Sequence, residues 1–203
     1  MKLTEFCFKK EKFDPNRMSF NNLDLVQAFP ACVRNDALRV AATLPQPSRN
    51  SETFSVRVGD EKVLIPNRVY HDIALINPDG LTPLQGELLD CLLTRHHNGF
   101  VREKHLKSIV CSEHKWVPPF VVQLVGEYVI EILETIRSNL KNLPAQVYRE
   151  FLTDNPAFLA LTKQRVFSYW DCYQRHQRGE DYAGFQIVGV FDSLVSEVVL
   201  PQN

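Results

Sequence analysis

The chain has 203 residues, 44% hydrophobic and 23% charged, with a net charge of −1 when its histidines are neutral. That length and apolar content suffice for a real core in one generous domain or two small ones, and exclude a globally disordered chain. A balance so close to neutrality excludes a chain that binds nucleic acid over its whole surface, so any phosphate-binding face would be a local patch.

The opening MKLTEFCFKKEKF lacks the unbroken apolar stretch of a secretory signal. No apolar run approaches ~18 residues, so no membrane span is expected. Cys7, Cys32, Cys91, Cys111 and Cys172 are five in number, widely spaced and without a CxxC pair. Such usage suits reduced thiols and a cytoplasmic location.

Residues 1–52 form an N-terminal region with short helices and a linker. Phe6, Phe8, Phe13, Phe20 and Phe29 follow no sustained period. The stretch NNLDLVQAF predicts a short helix capped by Asn22 and stopped before Pro30, and Asp36 to Leu44 a second. PQPSRNSE then reads as an exposed boundary, leaving residues 53–203 as a β-hairpin plus helical domain.

TFSVRVGDEKVLIP carries the β signal. A two-residue Gly59-Asp60 turn of type II′ pairs Val58 with Glu61, Val56 with Val63 and Phe54 with Ile65. Phe54, Val56, Val63 and Ile65 then share an apolar face, which must be covered because an isolated hairpin is marginal in water.

After the NPDG turn, Thr82-Pro83-Leu84-Gln85 has capping-box spacing and opens a helix with a leucine stripe. VREKHLKSIV predicts a second helix. Pro118-Pro119 opens a third, read as one long, mostly apolar and central helix over residues 118–141. On it Gln123, Glu127, Glu131 and Glu134 read as a solvated polar stripe. PAQVYREFL predicts a fourth helix. A fifth starts with Asn155 as cap and Pro156 in the first turn, with Leu159, Val166, Trp170 and Tyr173 on one face. For residues 182–200 the spacing favours a helix, while Gly184, Gly189 and the β-branched residues leave a strand open. The fold class is therefore mainly α: an irregular helical bundle around a central long helix, with one β-hairpin. The pair at 83–110, with NGFVRE opening its second helix, resembles a HEAT-type helix pair in packing style.

TRHHNGFVREKHL places three of the six histidines within residues 94–106. Local helix chemistry accounts for them: cationic groups favour a helix C-terminus, Asn98-Gly99 supplies a left-handed closing residue, and Phe100 can pack back on the last turn. The alternative is a metal-dependent enzyme using the His-rich segment 96–114, with His97, His105, Cys111 and His114 as ligands. That spacing matches no standard zinc site. A further alternative is a nucleic-acid-binding protein using the basic helix 101–110, with Arg102 and Lys107 on phosphates. Phosphate-loop, dinucleotide, nucleophile-elbow and zinc-protease motifs are all absent from the sequence. The favoured reading is a non-catalytic interaction or scaffold protein with a protein partner, no cofactor and no membrane association. Its contact surface would use Trp116, Trp170, Tyr173, Arg102 and Lys107.

Overall fold

The computed structural model describes residues 22–175 and 178–197. Cys7 and the scattered phenylalanines at 6, 8, 13 and 20 lie outside them. The architecture is mainly helical, with a single antiparallel hairpin among the described residues. Among the same residues no helix is long and apolar enough to cross a membrane.

The described part of the N-terminal region opens with a 3-10 helix, Asn22–Ala28, followed by α1, Arg34–Thr43. Leu25, Ala28, Phe29, Ala37, Val40 and Ala41 enter the same buried cluster as the later helices. Asn22 is no cap. Its Nδ2 donates to the carbonyls of Leu44 (2.7 Å) and Pro45 (3.1 Å), and its Oδ1 lies 3.0 Å from Nε2 of His71. The amide therefore ties the start of the described chain to two later segments.

β1, Thr53–Val58, and β2, Glu61–Pro66, pair as the alternation requires: Phe54 with Ile65, Val56 with Val63, Val58 with Glu61. Gly59 takes φ +58°, as the first position of a type II′ turn demands, and no non-glycine among the described residues has positive φ. The apolar face is covered from two sides. The 3-10 helix packs on β2, and Phe54 stacks on Phe158 with centroids 5.4 Å apart.

α2, Pro83–Leu93, begins with the complete capping box: Gln85 N donates to Thr82 Oγ1, and Thr82 N donates to Gln85 Oε1. Gln85 also donates to Asp36 on α1 at 2.7 Å. α3, Gly99–Ile109, packs on α2 as the second member of the helix pair.

The expected long central helix is two helices. α4, Pro118–Val125, is buried at every position, and α5, Ile130–Ser138, presents Ile132, Leu133 and Ile136 to the core. The chain breaks at Gly126, where the Glu127 amide closes on Leu124 O at 3.1 Å and the backbone leaves the helix. A Cβ at Gly126 would stand 3.1 Å from the Arg165 side chain, so the glycine admits that stem. Apolar periodicity cannot see this break, because residues on both sides continue the same stripe.

α6, Ala145–Asp154, and α7, Pro156–Tyr169, meet at Asn155. Asn155 makes no side-chain cap. Its Oδ1 accepts from Arg57 N (2.8 Å), while its Nδ2 donates to Arg57 O (2.9 Å) and Phe151 O (2.8 Å). A side-chain amide thus pins β1 to the α6–α7 corner. Beyond α7 a π-helical turn over Trp170–Gln174 turns Tyr173 off the buried face that Leu159 and Val166 occupy. The open alternative for residues 182–200 resolves as α8, Ala183–Ser196, with residues 198–200 outside the described ones. A Cβ at Gly184 would fall 2.8 Å from a Val166 methyl, so this glycine serves close helix–helix approach.

Candidate functional site

The histidine segment is a joint, built differently from the expectation. α2 ends at Leu93, and Arg95 to His97 run alongside the strand-like segment around Val69. Val69 N donates to Arg95 O (2.9 Å), and His97 N donates to Val69 O (3.1 Å). Asn98 does not close α2 with a left-handed glycine. It caps the start of α3, its Oδ1 accepting from Phe100 N, and Gly99 has no positive φ. Phe100 is correspondingly 82% exposed, not folded back on α2.

The imidazoles lie at separate stations. His96 is buried; its Nδ1 accepts from Asn98 N, which leaves the proton on Nε2 to donate to His71 O at 3.0 Å. Burial, above all, lowers its pKa. His71 is lowered to about 4, first by burial and then by His96. Since Asn22 Nδ2 is committed to two carbonyls, His71 donates from Nε2 to Asn22 Oδ1, and its buried Nδ1 has no partner among the described residues. His97 is exposed and stacks on Tyr70, at 5.4 Å, beside a shallow cleft of about 490 Å³. His105 pairs with Asp90 at 2.6 Å. His114 pairs with Glu87 at 2.7 Å and stacks on Trp116, and Cys111 Sγ lies 3.6 Å from Asn139 Oδ1. The proposed ligands His97, His105, Cys111 and His114 do not converge. Among the described residues no group of three or more His, Cys, Asp or Glu is placed to hold a metal ion.

The basic helix also turns partly inward. Arg102 is 2% exposed, and Lys107 is held by Glu103 at 2.7 Å. Arg102 belongs to a charge cluster that the sequence did not announce. Glu127, at the break between α4 and α5, is buried and receives three guanidinium groups. Arg68 and Arg95 reach Oε1 at 2.8 and 3.1 Å, and Arg102 Nε stands 2.9 Å from Oε2. This last contact is an ion pair without an aligned hydrogen bond. The arginines also bind carbonyls: Arg95 those of Pro66 and Asn67, Arg68 that of Asn67, Arg102 those of His96 and His97. The Arg95 pKa falls to about 10, chiefly through burial, against the pull of Glu127 and helped by the positive charge of Arg68 and Arg102. The cluster straps the segment after β2, the α2–α3 joint and the α4–α5 break into one unit. The polar-stripe reading missed it because the three partners lie 25 to 59 residues away in sequence.

Next to Glu127 the surface becomes aromatic. Tyr128 is 64% exposed, its ring centroid 6.0 Å from that of Tyr169, which is 6.2 Å from that of Tyr173. Tyr173 is 65% exposed. Trp170 is half-buried between Phe167 and Phe185, and Trp116 is buried against His114. Of the five expected contact residues, only Tyr173 belongs to this strip. Tyr128 was hidden by its helical spacing with Val121 and Val125, and Gly126 just before it was the available signal of a break.

No family model matches the chain, and neither a curated protein nor a solved structure matches it.

Proposed function

We propose that this is a non-catalytic interaction protein that docks a protein partner across the strip Tyr128–Tyr169–Tyr173. The supporting observation is that strip itself: three rings in sequence at 6.0 and 6.2 Å, exposed at both ends. Tyrosine offers a large rigid contact area with only two side-chain torsions, and it is enriched where interfaces concentrate their binding energy. The strip is set on a firm base, since Tyr128 follows the residue that three arginines hold. A reducing, cytoplasmic setting suits the widely spaced thiols, and Cys32, Cys91, Cys111 and Cys172 are all unpaired.

The test is a pull-down from native lysate with wild-type chain and with Tyr128→Ala and Tyr173→Ala. Proteins retained by wild type and depleted severalfold by either variant are expected. Retention that is identical across all three baits overturns the reading.

A further inference from the structure

The turn between α4 and α5, residues 126–129, is where positive charge accumulates. Arg68, Arg95 and Arg102 face the single carboxylate of Glu127. Arg165 adds a fourth guanidinium, its stem against Gly126 and its Nη1 donating to Gln123 at 3.3 Å. Among the described residues, none of these four arginines pairs with any acid other than Glu127. Arg68 remains 28% exposed, and Arg165 is half-buried, so the surplus has an outlet to solvent. α3 also begins here: a Cβ on Gly99 would lie 3.7 Å from Val129 and 3.8 Å from Arg102 Nη2. The α5 end carries its own Glu131, which answers the dipole of that helix, so the surplus belongs to the arginines.

We propose that the partner segment docked on the tyrosine strip is acidic, with Asp or Glu side chains seated on Arg68 and Arg165 and neighbouring apolar side chains on Tyr128, Tyr169 and Tyr173. This rests on the tyrosine strip being the interface. Charge complementarity selects the occupant: guanidinium groups match carboxylates in a planar two-point geometry, and rim charges of opposite sign steer encounter. Residues 1–21 of the same chain carry five basic and three acidic side chains, so their charge does not complement the turn. Arg95 and Arg102, held by Glu127 and by backbone carbonyls, act as a fixed positive background that raises the pull of the two outer arginines.

Random peptides displayed on phage and selected on the full chain identify the preferred chemistry directly. The expected selection is enriched in Asp and Glu next to aromatic or branched aliphatic residues. Synthetic versions of the selected peptides should bind about fivefold more weakly to Arg68→Gln and to Arg165→Gln, and more weakly again at raised ionic strength. Arg68→Gln leaves Arg95 and Arg102 on Glu127. Circular dichroism melting confirms that each variant is folded, and Arg165→Gln stands alone if Arg68→Gln is not. Peptides that need Tyr128 and Tyr173 but show no acidic bias, or that bind both arginine variants at full strength, overturn this inference and leave the interface standing. Failure to select any tyrosine-dependent peptide overturns the interface itself. Displacement of the peptides by inorganic phosphate more readily than by glutamate assigns the site to phosphate and overturns the carboxylate. Self-association abolished by Tyr173→Ala assigns the strip to a second copy of this chain and overturns the acidic segment.

Discussion

Glu127 is the residue on which most of the interior electrostatics turns. Its carboxylate neutralises part of a three-arginine cluster whose members Arg95 and Arg102 are 0% and 2% exposed. Removing one member of a buried ion pair leaves the other uncompensated, at a cost of about 3–5 kcal/mol. Glu127→Gln, of equal size, should therefore lose about that much stability in urea unfolding, and a loss below about 1 kcal/mol would mean that the backbone carbonyls alone suffice. Glu127→Gln should also remain helical if it folds, since α4 and α5 keep their own apolar faces. The sequence concealed this residue for a physical reason. A glutamate on the polar side of a helical stripe looks the same whether water or distant guanidinium groups receive it, and its partners arrive from the segment after β2, the α2–α3 joint and α3.

At the scale of the element, local rules were legible wherever the partners were local. The hairpin register follows from alternation and a glycine at the first turn position, and the α2 start follows from Thr82 and Gln85 three positions apart. Asn155 marks where that legibility stops. Asn before Pro reads as a helix cap, yet its amide bonds the backbone of Arg57, 98 residues earlier. Three hydrogen bonds at about 1 kcal/mol each predict that Asn155→Ala loses roughly 2–3 kcal/mol. Amide hydrogen exchange should accelerate in β1 and β2 before it does in α2 or α3. Uniform acceleration across the chain would show that the hairpin is held by its apolar face alone.

At the scale of the whole molecule, the hook formed by Asn22, Leu44, Pro45 and His71 joins the described N-terminal elements to the rest. His71 makes that hook sensitive to acid. With its pKa lowered from 6.5 to about 4, the unfolded chain takes up a proton first as pH falls, so stability is full above pH 6.5 and is lost progressively toward pH 4. The shift corresponds to about 3 kcal/mol. His71→Gln, which keeps a donor for Asn22 but does not titrate, should flatten the dependence of the urea midpoint on pH across that window. An unchanged slope would place the acid sensitivity elsewhere. The helical class and the hairpin were readable from the sequence, whereas the division of the expected central helix was invisible to apolar periodicity, which continues across it, and only Gly126 marked it.

The tie between Asn155 and Arg57 also bears on how copies of this chain behave toward one another. Arg57 lies opposite Lys62 at a pair that exchanges no ladder bonds within the hairpin, so its N–H and C=O point outward along an open margin of the sheet. Such a margin invites a strand from a neighbouring molecule. By occupying both groups with a side chain, the fold blunts this aggregation-prone border.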